Sequence, residues 1–208
     1  MSWFGNIYRS DAKVGRFMGV LALWGVAYGL YRGIQDNYLA EIIHISPFER
    51  GIVEFFREMP GLLVVVILAM MYRFTASKIF KIGTAITVGG MAGLLLSSTS
   101  PLFMTKVFVI VFMVVFSTGE HILMPVRSTI AMDLAKRDKA GASLGIAGAI
   151  SHFGNIFGFI IVIILFIVLD RYGIPRTDVL GYRMIFSISF ALLIASTLVV
   201  LALQETTL

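Results

Sequence analysis

The sequence predicts an all-α, polytopic membrane protein with six transmembrane helices. Three observations carry that prediction. Hydrophobic residues make up 58% of the 208 residues and charged residues 14%, and the mean hydropathy is +0.92; a soluble domain carries about 45–50% apolar and about 25% charged residues. Six apolar runs lie near residues 17–43, 50–72, 79–98, 103–131, 141–169 and 182–203, each longer than a buried strand or a short core helix. Breakers separate them: His44 to Pro47, Thr75 to Lys78, Ser97 to Pro101, Asp133 to Lys139, and Asp170 to Asp178. So many apolar side chains could not fit inside a soluble core of this size. A water-soluble enzyme, a nucleic-acid-binding domain and a disordered chain are therefore excluded. At about 20 residues per crossing, the length allows roughly six or seven helices in one bundle over 1–208.

Each run has its own justification. The first, 17–43, follows a polar, basic stretch (Met1 to Arg16) with no small-residue cleavage site, so it reads as a retained helix, not a signal peptide. It carries Gly25, Gly29 and Gly33, with Gly15 and Gly19 before them. The second, 50–72, holds Glu54, Arg57 and Glu58 ahead of Pro60-Gly61 and an aliphatic stretch. The third, 79–98, is apolar and glycine-rich. The fourth, 103–131, contains Glu120, His121, Pro125 and Arg127. The fifth, 141–169, carries Gly141, Gly145, Gly154 and Gly158 with His152 and Asn155 between. The sixth, 182–203, is almost wholly apolar. Small residues four apart let membrane helices approach closely, so the first and fifth helices are expected to pack together through these glycines.

The net charge of +5 reads as loop charge rather than as affinity for nucleic acid. With the N-terminus inside, the inner loops hold Arg9, Lys13, Arg16, Arg73, Lys78, Lys81, Arg127, Lys136, Arg137 and Lys139. The outer side holds only Arg50, Lys106, Arg171, Arg176 and Arg183. The positive-inside bias places both termini in the cytoplasm of what is expected to be a bacterial cytoplasmic membrane. The absence of cysteine excludes disulfides, thiolate catalysis and Cys-ligated metal sites.

An ionisable side chain at the bilayer centre costs about 2.5–3.5 kcal/mol on insertion scales, so such residues pair or face water. Tyr28, Tyr31, Arg32, Gln35, Asp36 and Asn37 crowd two turns of the first helix, where Arg32 and Asp36 share a face. Glu54, Arg57 and Glu58 share a face of the second. Counting from the intervening turn predicts a network of Arg32, Asp36, Arg57 and Glu58, either as a structural lock or as a substrate or proton path. A third cluster is Glu120 and His121 with His152 and Asn155. His121 and His152 are equidistant from the turn between their helices, so they share a depth if those helices stay adjacent. A carboxylate beside imidazoles can hand over protons. Zinc would have two His and one Glu but no supporting spacing, and no metal or cofactor is expected. Arg127 is expected to snorkel to the interface.

Several stretches resemble the N-terminal six-helix half of a major facilitator superfamily transporter. These are Pro60-Gly61 with the aliphatic run after it, Gly119 with Met124-Pro125-Val126, and the exit through Asp133-Leu134 to a basic loop. Gly141-Ala142-Ser143-Leu144-Gly145 with Gly154 and Gly158, and Tyr182-Arg183-Met184-Ile185-Phe186, complete the set. The loop between the second and third helices departs from that family: Tyr72-Arg73 stands where Asp-Arg would, Thr75 where Gly would, and only Arg73 and Lys78 remain. The resemblance implies two three-helix units of opposite topology, a cavity lined by the first and fourth helices, and a second six-helix half on the same or a separate chain.

The expected function is secondary transport of a small solute by alternating access, with possible coupling to protons through Tyr28, Arg32, Asp36, Arg57, Glu58, Glu120, His121, His152 and Asn155. The alternative is a membrane scaffold or assembly partner without transport. An enzyme is not expected, since neither Gly-x-Ser-x-Gly nor His-Glu-x-x-His occurs. The expected partners are the lipid bilayer, the solute and the second half.

Overall fold

The computed structural model describes residues 3–9, 11–97 and 103–201. Among them are α1 (Trp3–Ile7), α2 (Asp11–Asn37), a π-turn (Tyr38–Ile42), α3 (Pro47–Met70), α4 (Ala76–Leu96), α5 (Phe103–Leu134), α6 (Ala140–Arg171) and α7 (Val179–Leu201). The last residues of the expected sixth run and most of the expected break before Pro101 lie outside the described residues.

Five segments are long and apolar enough to cross a membrane: Ala12–Ile42, Ala76–Leu96, Phe103–Leu134, Ala140–Arg171 and Val179–Leu201. They make the chain an integral membrane protein by length and composition. Where six such spans were expected, α3 falls short. It is 24 residues long, but Glu54, Arg57 and Glu58 crowd its middle and dilute its apolar character. The first helix also begins earlier than its apolar run, at Asp11, because Lys13 and Arg16 can stay at the surface of a continuing helix.

Local chemistry sets the helix starts. Ser46 and Glu49 form a capping box at α3, with Pro47 in its first turn; such a cap satisfies two amide donors that the helix leaves unpaired. Thr75 caps α4 by accepting from the Lys78 amide. Glu49 also reaches across to α5, where Lys106 Nζ donates to its Oε1 at 2.8 Å and Oε2 at 2.9 Å. Glu49 lies outside the five apolar spans. The Lys106 hydrogen bonds, helped by the Ser46 amide and hydroxyl, hold its carboxyl down at about 2.

Packing follows a regular pattern. α2 packs on α6 and α7, α5 packs on α3 and α4, and α4 packs on α7. Exchanging α2–α4 with α5–α7 maps those main contacts onto themselves, whereas the lesser α5–α6 and α6–α7 contacts have no such counterpart. At the α2–α6 seam the backbones touch. A Cβ on Gly25 would lie 2.5 Å from the Ser151 carbonyl, and one on Gly29 would run into the Asn155 carbonyl. From the other side, a Cβ on Gly154 would meet the Ala22 carbonyl at 2.9 Å, and one on Gly158 the Val26 carbonyl at 2.5 Å. Gly33 instead meets the side chains of Phe159 and Val162. Gly141 and Gly145 have nothing within 4 Å; they lie on the exposed face of α6, opposite Gly154 and Gly158, so they make no close approach.

Hydroxyls tie other seams. Ser189 Oγ on α7 donates to the Ala27 carbonyl at 2.8 Å, and Ser143 Oγ on α6 to the Ala131 carbonyl at 2.5 Å. The segment after α1 is pinned to the α5–α6 turn: the Arg9 amide donates to the Leu134 carbonyl at 3.1 Å, and the Lys136 amide to the Ile7 carbonyl at 2.7 Å.

Candidate functional site

The polar side chains gather where α2, α3 and α5 meet. Arg57 is the anchor. Its side chain is 10% exposed, and its Nε and Nη2 donate to Glu54 Oε2 at 2.9 and 2.7 Å. The same guanidinium pairs with Glu58. Glu54 and Glu58 stand one turn apart on α3, and Arg57 is placed to neutralise both.

Across the seam, α5 presents His121. Its Nε2 lies 3.6 Å from Glu58 Oε2. Its Nδ1 lies 2.9 Å from the Ser117 carbonyl and 3.1 Å from Ser117 Oγ. Ser117 Oγ spends its own hydrogen on the Arg57 carbonyl at 2.5 Å. Both neighbours of Nδ1 therefore accept, so Nδ1 carries the hydrogen. Nε2 faces Glu58, and attraction between the two requires one more proton, on the ring or on the carboxyl. The backbone permits this approach because residue 61 is glycine: a Cβ there would sit 2.6 Å from His121 Nε2.

Among the described residues Glu120 is the most deeply placed carboxylate, at 3% exposure. The Tyr28 hydroxyl lies beside it, and Arg32, Arg57 and His121 lie within electrostatic range. Tyr28 stacks on Trp24 at 4.9 Å between ring centroids. The Arg127 guanidinium lies over the far side of this group, 5.9 Å from the Trp24 ring, a cation–π distance. Arg127 therefore packs against the ring rather than only reaching for the interface. The Tyr31 hydroxyl and the Gln35 amide nitrogen are buried without a hydrogen-bond partner among the described residues.

The expected four-residue network divides. Arg57 and Glu58 pair, but Arg32 donates to Gln35 Oε1 at 2.9 Å and Asp36 binds Arg50 at 2.5 Å across the hairpin. Asp36 lies at the exposed end of α2, where Arg50 in the first turn of α3 reaches it without being desolvated. The histidines separate too. The glycine seam holds α6 against α2, and His152 is exposed on the outer face of α6, away from His121. Asn155 sits in that seam, its Oδ1 buried without a partner among the described residues. Arg73 bonds to the Tyr72 hydroxyl at 2.8 Å, and Lys78 lies 4.4 Å from the Phe74 ring. These two cations are occupied by neighbouring aromatics in the α3–α4 turn.

Sequence reasoning left Glu54 and Ser117 out of the site. Glu54 had the signal, three residues before Arg57. Ser117 had a weaker one, a hydroxyl one turn before His121. No group of three or more His, Asp or Glu side chains placed to hold a metal occurs among the described residues.

No curated protein matches the chain. A family model described as PUCC protein matches residues 2–208. That match corrects the resemblance to the major facilitator superfamily, which rested on the order of short glycine, proline and aromatic stretches. Such stretches serve close helix packing in many membrane proteins, and the loop around Tyr72, Arg73 and Thr75 already departed from that superfamily. With the match covering almost its whole length, the chain belongs to the PUCC protein family.

Proposed function

We propose that the chain takes part in secondary transport of a small solute across a bacterial cytoplasmic membrane, with the polar face of α2, α3 and α5 as one wall of the path. The observation that carries this reading is Glu120, buried at 3% exposure beside Tyr28 and within range of Arg32, Arg57 and His121. Ionisable side chains at membrane depth are costly and characteristically mark solute or proton paths. In this reading α3 is a sixth crossing, its charges tolerated because they face the path. The units α2–α4 and α5–α7 run in opposite topology, as in many alternating-access carriers. The exchange symmetry of the helix contacts supports that division. The excess of Lys and Arg in alternate loops supports a cytoplasmic side for both ends of the bundle. The open side of the polar face would be closed by a second helical bundle, on the same or a separate chain.

The test is uptake into proteoliposomes across a solute panel, with and without an imposed pH gradient. Uptake that Glu120→Gln abolishes supports the reading. Uptake without accompanying proton flux removes the coupling, and no uptake of any solute removes transport.

One observation favours a second reading, an assembly partner that does not transport. The Glu58 side chain is 53% exposed, and partner helices bearing cations could cover it. Co-purification of such a partner, lost in Glu58→Gln, together with inactive proteoliposomes, would select this reading.

A further inference from the structure

A cavity of about 350 Å³ opens between α2, α6 and α7, at the end of the bundle where the π-turn meets the loop before α7. Its size is within the ~300–1,000 Å³ of ligand pockets. Glu41 and Arg176 both line it, yet they do not pair with each other. Among the described residues, Glu41 has no cation and Arg176 no carboxylate within 4.0 Å. Glu41 is instead fixed by Tyr182, whose hydroxyl donates to Oε2 at 2.6 Å. That bond orients the carboxylate and leaves Oε1 free. Asn37 adds a further polar group at the rim. The rest of the wall is Gly33 of α2 and an apolar stretch of α6, where Ile163 is 58% and Ile167 44% exposed. These two side chains run from the cavity onto the outer face of the bundle.

Two opposite charges held apart over one cavity suit a ligand that carries both signs. An apolar wall continuing onto the lipid-facing surface suits one that also carries a hydrocarbon chain. We propose that this cavity binds a phospholipid with a zwitterionic, primary-amine headgroup, of the phosphatidylethanolamine class. The ammonium donates to Glu41, the phosphate takes the Arg176 guanidinium, and an acyl chain lies along Ile163 and Ile167. Charge-assisted bonds of this kind are the stronger ones, and guanidinium matches phosphate geometry. A choline headgroup has no N–H to give Glu41, and an anionic headgroup places negative charge beside it. The site is separate from the polar face of α2, α3 and α5, and the inference does not depend on transport.

The test is native mass spectrometry of the purified full chain titrated with dioleoyl phosphatidylethanolamine, phosphatidylcholine, phosphatidylglycerol and soluble glycerophosphoethanolamine. The expected result is that phosphatidylethanolamine is retained about tenfold more tightly than the other lipids, a preference that single charge-assisted bonds can supply. Glu41→Gln, which can still accept from Tyr182, brings it down to the phosphatidylcholine level. Arg176→Gln, an exposed loop position, weakens both phosphatidylethanolamine and phosphatidylcholine. Equal retention of the three lipids, or binding unchanged in Arg176→Gln, overturns the proposal. Glycerophosphoethanolamine binding as tightly as the lipid overturns the part played by the acyl chain. Should Glu41→Gln not fold, the lipid ranking and Arg176→Gln decide the matter alone.

Discussion

His121 Nε2 on α5 faces Glu58 Oε2 on α3 at 3.6 Å, while the other ring nitrogen is committed to Ser117. The pair thus brings an imidazole nitrogen and a carboxylate oxygen from two helices face to face. If proton-driven uptake is present, Glu58→Gln and His121→Gln should each lower it by about a hundredfold, the lower end of what a positioned proton-transfer group contributes. Groups that act as a unit are not additive. The double variant should therefore be no worse than either single one, as initial uptake rates in proteoliposomes would show. Additive losses would mean that the two side chains act separately.

The α2–α6 seam makes a stability prediction. Gly29 and Gly158 each face backbone atoms of the opposite helix, which cannot step aside as a side chain can. Gly29→Val or Gly158→Val should destabilise by about 1–3 kcal/mol, the usual cost of overpacking a tight core. Gly141→Ala and Gly145→Ala, with nothing within 4 Å, should be neutral or stabilising by up to about 1 kcal/mol, since alanine is the better helix former. Thermal unfolding of the four variants in one detergent gives the comparison.

The seam was legible only in part: glycines four apart mark a groove, and Gly25, Gly29, Gly154 and Gly158 use it, but Gly141 and Gly145 have the same spacing on a face that meets no helix. Partner choice among the charges was not legible. Arg32, Asp36, Arg57 and Glu58 lie near one another along two helices, but which of them pair depends on helix rotation and on exposure. Asp36 found Arg50 because both stand at the solvent end; Arg32 turned to Gln35. His152 illustrates a second limit. Its distance from the α5–α6 turn was readable, but its face was not, because α6 packs chiefly on α2 and only secondarily on α5. Pro60-Gly61 carried weight in the sequence as a motif, whereas its visible role is local: Gly61 makes room for the His121 ring.

Glu49 supplies a pH dependence. Its carboxyl is held at about 2, chiefly by hydrogen bonds from Lys106, against roughly 4.3 in an unfolded chain. A depressed folded value means that the stabilisation is complete above the unfolded value and disappears as pH falls toward the folded one. The stability difference between the wild type and Glu49→Gln should therefore hold steady above about pH 5 and shrink toward zero by about pH 2. Gln at this position keeps the capping box, so the difference reports the carboxylate charge, chiefly through its bonds to Lys106. Added salt should reduce the difference at neutral pH, because the pair is only partly buried. Unfolding temperatures measured for both proteins between pH 2 and 7 check this.

Arg57 is the side chain whose loss should reach furthest. It holds Glu54 and Glu58 on the same face of α3, so its removal leaves two carboxylates facing each other at i and i+4, where like charges repel. Removing one partner of a fully buried pair costs about 3–5 kcal/mol. Here Glu54 and Glu58 are 35% and 53% exposed, so solvent screens part of that cost. For Arg57→Met the expected loss is about 1–3 kcal/mol, with the alkyl chain retained to fill the space. If the damage is mainly uncompensated charge, adding Glu54→Gln to Arg57→Met should restore at least half of it, because one of the two stranded carboxylates is then neutral. If it is mainly lost packing, the second substitution should restore nothing. Arg57→Lys separates a third contribution. The ammonium keeps the charge but cannot bridge two carboxylates with a planar fork, so a deficit in Arg57→Lys comparable to that of Arg57→Met would assign the effect to geometry rather than to charge.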